Sequence, residues 1–440
     1  MKKTLKIIGC IVGSLILLAV ILLLVYKFVF DPYHGTNYNY TEAKTLNETV
    51  SLQQAEKDLT FVIKILRSRH PAWLEEGNER VPIVEAQYEK EMSELKEAGE
   101  REVTTLEVWQ RASRILHQMG DGHTGILARY NAYKVVDCWE DINTYGYPVE
   151  INGIALQELY DRFLEHFFYE MEYYAADRFY NEMIVMDSYL QLLGVDTTEG
   201  VDFTYATDGG GKTIHYAFSY PNPREAAQTE ADTDTETAFV SYEIDEENKI
   251  GIFTLTECNY TDHYMEVLDD FFREVSEKGV EHIIVDLREN GGGNSYVADQ
   301  FLQYLDIDGF SSWGSKVRFG PYLHINEPQY VPVTRRENCF SGDLYLLSSY
   351  QTFSSAMDFT MLVKDNHLGT VVGEPCGNLP DSYGDVLSFI LPNTKLTLRC
   401  SYKRWQRIDR SKEWQPIDPD IPCDSDEAMD VAYETILGSR

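Results

Sequence analysis

The chain is short of positive charge. Its 440 residues carry 38 Lys and Arg against 72 Asp and Glu, a formal charge of -34. A field of that sign repels nucleic-acid phosphates and anionic lipid headgroups alike, so no nucleic-acid partner is expected. Cysteine is scarce as well: there are seven, and six of them (Cys138, Cys258, Cys339, Cys376, Cys400, Cys423) follow the N-terminal apolar segment. No pair has zinc-ligand spacing, and the scatter shows no disulfide framework, which leaves buried free thiols as the expectation. The glycine run at 291–293 is not followed by the Gly-Lys-Ser/Thr of a phosphate loop, and no repeat of 20 to 50 residues is present. With 43% hydrophobic and 13% aromatic residues the chain can nevertheless bury large cores, and its length suggests two or three domains.

What the sequence does have is one long apolar run. In "MKKTLKIIGCIVGSLILLAVILLLVYKFVF" the twenty positions from Ile7 to Tyr26 are uncharged, enough at about 1.5 Å per residue to cross a bilayer. Lys2, Lys3 and Lys6 precede the run and the segment after Lys27 soon turns acidic. Residues 1–30 therefore read as a cytoplasmic stub and a single-pass cell-membrane anchor, with the rest of the chain extracellular. No small-x-small site follows the run, which argues against a cleaved signal peptide. Cys10 precedes the apolar run instead of ending it, which argues against a lipoprotein box.

Residues 31–50 read as a polar tether. Ser51 and Gln54 then form a capping box, followed by Leu52, Ala55, Leu59, Val62 and Leu66 at helical spacing. Leu106, Trp109, Ala112, Ile115 and Leu116 mark a second helix, stopped by the glycines of "MGDGHTGI", so 51–128 reads as a helical domain. Residues 129–222 mix short strands and helix, with "DGGG" as a hairpin turn, and 223–238 has the composition of an acidic linker. From 239 to 440 the strands "KIGIFTL", "HIIVDL", "DLYLLS" and "GTVVG" alternate with amphipathic helices. That pattern predicts an α/β domain built on a mostly parallel sheet covered on both faces, with an added hairpin turning at Pro392 and Asn393.

In such sheets the loops beyond the carboxyl ends of the strands build the site. Two qualify: "DLRENGGGN" after Leu287 and "SSYQTFSSA" after Leu347. The glycines let the N–H groups of Gly292 and Gly293 turn toward an anion, and Ser355 at a helix start gains from the helix dipole and the Ala356 N–H. At this level Ser355 has two readings. With Asp358 it makes a Ser-x-x-acid helix cap, and equally it makes a candidate nucleophile.

Four stretches carry a resemblance to a known family: "IIVDLRENGGGNSYVADQFLQYL", "LYLLSSYQTFSSAMDFTMLVKDNHLGTVVGEPCGN", "PIDPDIP" and, upstream, "LHQMGDGHTGI". In order and spacing they resemble the serine peptidases that include the tail-specific, or C-terminal processing, proteases and the tricorn core protease. The resemblance implies a crotonase/ClpP-like parallel-sheet catalytic domain, an N-terminal helical domain and a degenerate PDZ-like middle region around "EINGIA". It also implies that Ser355 is the nucleophile. The processing proteases use a lysine beyond "GEP", and here "GEPCGNLPDSYGD" has no lysine between Lys364 and Lys395. The resemblance is therefore to the tricorn-like branch, which takes a histidine from the helical domain and a glutamate near the C-terminus. His123 and Glu413 match those places. His123 lies on a glycine-flanked loop, and a neutral imidazole suits removal of the Ser355 proton. His117 on the preceding helix is the alternative base, and Asp121 reads as a loop-stabilising acid.

The expectation is a membrane-anchored extracellular serine peptidase acting on a peptide or protein substrate. Ser355 attacks, His123 shuttles the proton, Glu413 orients His123 directly or through a second hydroxyl, and the N–H groups of Gly292, Gly293 and Ala356 form the oxyanion hole. No cofactor and no metal are called for. Because base and nucleophile come from separate domains, activity is expected to depend on domain closure. Two rivals are a non-catalytic binding protein on the same fold, as relatives in retinoid transport suggest, and an esterase-type acyl hydrolase.

Overall fold

Apolar helix, helical layer and parallel sheet follow one another along the chain in the computed structural model, which describes residues 2–130, 133–220 and 239–438. The linker expected at 223–238 lies outside the described residues. Helix Lys2–Val25 runs into a π-helical turn at Tyr26–Phe30, and Ile11–Phe30 is long and apolar enough to cross a membrane. The segment after it is a docked strap. Tyr33 and Tyr402 share a hydroxyl–hydroxyl bond of 2.6 Å, the Asn37 and Lys44 N–H groups donate to the Ser388 and Thr394 carbonyls, and Ala43 and Leu46 are buried.

The expected capping box is present: Ser51 Oγ accepts from the Gln54 N–H, and Gln54 returns the bond. It starts helix Leu52–Arg69, whose buried Ala55, Leu59, Val62 and Leu66 face helices Arg80–Glu97 and Thr105–His117. These helices do not close their own core. They share it with Leu387, Phe389, Leu398 and Cys400 from the strands Tyr383–Ile390 and Thr397–Gln406. One fully buried carboxylate pins the two parts together. Asp58 accepts from the Asn393 N–H (3.0 Å), Asn393 Nδ2 (2.8 Å), the Thr394 N–H (2.9 Å) and Thr394 Oγ1 (2.7 Å), capping the turn expected at Pro392 and Asn393.

The main sheet has the order Ile421–Pro422, Thr370–Gly373, Asp343–Ser348, His282–Asp286, Ile250–Leu255, Val240–Asp245, parallel throughout except for the last edge strand. Side chains alternate between its faces as the strand period of two requires. Ile283, Val285 and Leu346 pack with Phe271, Phe301 and Phe359 of the helices Asp262–Lys278, Tyr296–Leu302 and Ser355–Asp365. On the other face Ile284, Tyr345 and Val372 pack with Ala432 and Ile436 of helix Ala428–Gly438.

A second sheet runs Tyr322–Asn326, Gly314–Phe319, Thr397–Gln406, Tyr383–Ile390, and the short strand Gly125–Leu127 joins it by pairing antiparallel with Thr397–Arg399. The region 133–220 keeps its own core around Phe163, Phe179 and Phe203, under a four-stranded sheet that contains the expected hairpin, Val201–Thr207 with Gly210–Tyr216.

Removing the Asp58 carboxylate strands four donors under the helical layer. Asp58→Ala should lower unfolding stability by about 3 kcal/mol, measured as a reduced midpoint in urea with an unchanged m-value.

Candidate active site

Ser355 is the first residue of helix Ser355–Asp365, directly beyond the parallel strand Asp343–Ser348. It is not a helix cap. Its hydroxyl donates to the Gly293 carbonyl at 2.9 Å, and no side chain caps this helix. The residue before it, Ser354, holds φ 55 and ψ -121, a conformation costly for a residue with a Cβ. Two contacts impose it. The Ser354 N–H donates to Asn378 Oδ1 at 2.7 Å, and Gly292 lies so close that a Cβ there would sit 2.6 Å from Ser354 Cβ.

The glycine loop does meet Ser355, but its N–H groups are unequally available. Gly292 donates to Asn290 Oδ1 at 2.9 Å, and Ala356 donates to the Phe353 carbonyl at 3.1 Å. Two of the three expected oxyanion donors are thus satisfied internally, Gly292 by a side chain two residues upstream and Ala356 by the turn that enters the helix. The Gly293 N–H has no such partner among the described residues, and Gly293 itself is wedged against the Cys258 carbonyl at φ 140.

His123 reaches this place on the loop between helix Thr105–His117 and strand Gly125–Leu127. The loop is stitched to the second sheet: the Ser401 N–H donates to Thr124 Oγ1 at 2.9 Å, and Ser401 Oγ donates to Asp121 Oδ2 at 2.8 Å. His70 Nε2 donates to the same carboxylate at 3.1 Å, and the His123 N–H donates to Asp121 Oδ1 at 2.8 Å. Gly125 must be glycine, since a Cβ would fall 2.2 Å from the Phe168 ring. The imidazole of His123 packs 4.8 Å from the ring of Phe353, two residues before Ser355, and is 5% exposed with neither ring nitrogen hydrogen-bonded. The strand that follows this loop, Gly125–Leu127, belongs to the C-terminal sheet through its pairing with Thr397–Arg399.

Glu413 is not brought to His123. Its half-exposed carboxylate pairs with Arg410 at 2.5 Å and lies 3.8 Å from Arg404, because the residues 410–413 form a short turn on the rim of a cavity of about 970 Å³. The acid beside His123 is Asp121, 4.0 Å from Nδ1. A second acid, Glu170, comes from the middle region, where no sequence motif marked it. It accepts from the Gly122 N–H at 3.2 Å and the Leu379 N–H at 2.8 Å, tying the histidine loop to the segment after "GEP". Asp121, His123 and Glu170 offer ligand atoms within 4.8 Å of one another, a donor set that a divalent cation could use. His117 is spent elsewhere, its Nδ1 donating to the Phe167 carbonyl at 3.0 Å.

Burial sets the charges. It pushes the His123 imidazole down to about 4, against the opposing pull of Asp121. Burial together with the Asp121 charge raises the Glu170 carboxyl to about 8. For Asp121 burial acts upward but is outweighed by the His70 bond and charge, so the carboxyl stays ionised well below the usual range.

Residues 249–423 match the model of peptidase family S41. No curated protein matches the chain in sequence. Among solved structures it is similar to mature CPAF (12% identity, TM-score 0.58, over 88% of this chain and 96% of that one). It is similar likewise to mature CPAF complexed with lactacystin (14%, TM-score 0.59, 88% and 97%). A candidate peptidase from Parabacteroides merdae ATCC 43184 is also similar (17%, TM-score 0.50, 88% and 97%). At these identities the likeness is one of fold.

The two shifted groups give opposite slopes of stability with pH. Between pH 4 and 6.5 the unfolded state binds the His123 proton and the folded state does not, so stability rises with pH. Between 4.5 and 8 the folded state keeps the Glu170 proton that the unfolded state has lost, so stability falls with pH. Taken by themselves the two cancel up to about 6.5, and from there to pH 8 Glu170 contributes a loss of about 2 kcal/mol. Urea titrations should show that loss in the wild type and not in Glu170→Gln.

Proposed function

We propose that the chain is a serine-type peptidase, with Ser355 its nucleophile and His123 its general base; the match of residues 249–423 to peptidase family S41 supports this. One observation carries this reading. A buried imidazole with no well-formed hydrogen bond at either nitrogen is lodged against Phe353, two residues before a serine whose hydroxyl caps nothing and donates into the glycine loop. Burying an unpartnered imidazole costs stability, and the catalytic task accounts for that cost.

Attack begins when the Ser355 hydroxyl leaves the Gly293 carbonyl and turns to His123 Nε2, the nitrogen away from Asp121. The proton passes to the imidazole as Oγ bonds to the peptide carbonyl carbon. Asp121 stabilises the imidazolium, the role first expected of Glu413, and the Gly293 N–H receives the oxyanion. Gly292 and Ala356 shape the loop and the helix start and do not donate. The imidazolium then protonates the departing amine, and a water deprotonated by His123 hydrolyses the acyl-enzyme. The substrate is a peptide or protein chain entering the cavity that Gly120, Glu170 and Tyr383 line. The catalytic sheet is of the crotonase/ClpP type and the region 133–220 a degenerate PDZ-like unit. The N-terminal helix is a single-pass anchor that leaves the peptidase outside the cell.

Fluorophosphonate labelling should occur in the wild type and vanish in Ser355→Ala. His123→Ala should lose about a thousandfold or more in kcat, whereas Glu413→Gln should stay within about threefold. Labelling retained in Ser355→Ala, or a loss in Glu413→Gln equal to that in His123→Ala, would reverse the assignment concerned. Peptide hydrolysis against ester hydrolysis separates a peptidase from an esterase. With the free imidazole held near 4, kcat/KM should stay level from pH 7.5 to about pH 5, where an ordinary histidine would have cut it more than tenfold.

A further inference from the structure

The outer edge of the second sheet is an exposed apolar arm. Strands Gly314–Phe319 and Tyr322–Asn326 form a hairpin turning at Gly320, and Gln329–Pro332 returns alongside Gly309–Ser312. On it Tyr322 is 57% exposed, Ile325 51% and Tyr330 62%. Between 320 and 333 Glu327 is the single carboxylate, in a chain with 72 of them. An unpaired strand edge carrying large apolar side chains is a liability in water unless something covers it.

The arm's position says what covers it. Gly320 abuts the last turn of the N-terminal apolar helix: a Cβ on it would lie 1.9 Å from the Val29 carbonyl oxygen. That contact is held rigidly. Arg318 Nε donates to the Gly320 carbonyl at 2.9 Å, and its guanidinium donates to the carbonyls of His70 at 2.5 Å and Arg67 at 2.7 Å. Arg69 donates to the His34 carbonyl at 3.1 Å, fixing the chain just after the helix leaves its apolar span. Whatever touches the backbone of Val29 stands at the depth of the final apolar residues of Ile11–Phe30, which in an anchor is the boundary of the hydrocarbon layer. Tyrosines presented at that depth are what the interface accommodates.

Resting on the anchor reading above, we propose that the arm 320–333 lies in the headgroup layer of the membrane that holds the anchor. The proposal also bears on the substrate. Leu323 and Ile325 of the arm line the same cavity that reaches Gly120 and Glu170 beside the histidine loop. The cavity therefore opens at the bilayer surface, and its substrates are chain segments held close to that surface, such as the membrane-proximal stretch of another anchored protein.

The test uses full-length protein in phosphatidylcholine liposomes containing doxyl-labelled lipid, with the environment-sensitive dye NBD on single introduced cysteines. Tyr322→Cys and Tyr330→Cys probe the arm, Ile16→Cys the anchor, and Glu247→Cys the opposite edge of the main sheet. Doxyl lipid should quench NBD at 16, 322 and 330 by about twofold or more, and leave 247 unchanged. Quenching at 16 without quenching at 322 and 330 overturns the arm's placement, whether the edge is then bare or covered by a second copy, and leaves the serine chemistry standing. No quenching at 16 removes the anchor and the arm proposal together. Fluorophosphonate labelling of the same samples reports on Ser355 independently.

Discussion

Three residues of strand hold the two halves of the candidate site together. Gly125–Leu127 pairs with Thr397–Arg399, and that pairing converts the end of a helix into a fixed edge of the C-terminal sheet. The loop just before it carries His123 and is held by a network through Asp121, His70, Thr124 and Ser401. A helix C-terminus left to itself frays. Here it is held on both sides, and the imidazole packs against Phe353 of the loop that leads to Ser355.

The Ser355 side is organised by strain as well as bonding. Ser354 occupies a backbone region that costs on the order of 1 to 3 kcal/mol, and it persists because Asn378 and Gly292 close on it from two directions. Asn290 holds the glycine loop from beneath, donating to the Leu255 carbonyl while accepting from the Gly292 N–H. Fully buried and bonded in this way, it works as a bracket between the two loops at the sheet's carboxyl end. Helix geometry sets where Ser355 lies, and the bracket sets which way the preceding chain must turn.

Much of this was legible in the sequence because it is local. The strands around Ile252, Ile284, Leu346 and Val372, the capping box at Ser51 and the hairpin at Pro392 are written in period, cap and turn residues that the fold obeys. Motif order pointed to the loop of His123, which packs against Phe353, two residues before Ser355. What escaped was non-local. The helical layer has no complete core without Leu387 and Leu398, and nothing in residues 51–128 says so. Glu413 stood at a suggestive place in the chain, yet two arginines hold it on the cavity rim while Asp121 stands by the histidine. Glu170 carried no signal at all. The occupation of the Gly292 N–H could have been foreseen, since asparagine two residues before a glycine commonly folds back on that N–H.

The shared core has a consequence for how the molecule comes into being. Thr124 meets Ser401 across 277 positions, so the histidine's loop has no seat until nearly the whole polypeptide has been synthesised. Folding that must wait for so distant a strand is slow, and the early helices stay incomplete in the meantime. Until that strand is made, the loop carrying His123 has nothing to pair with.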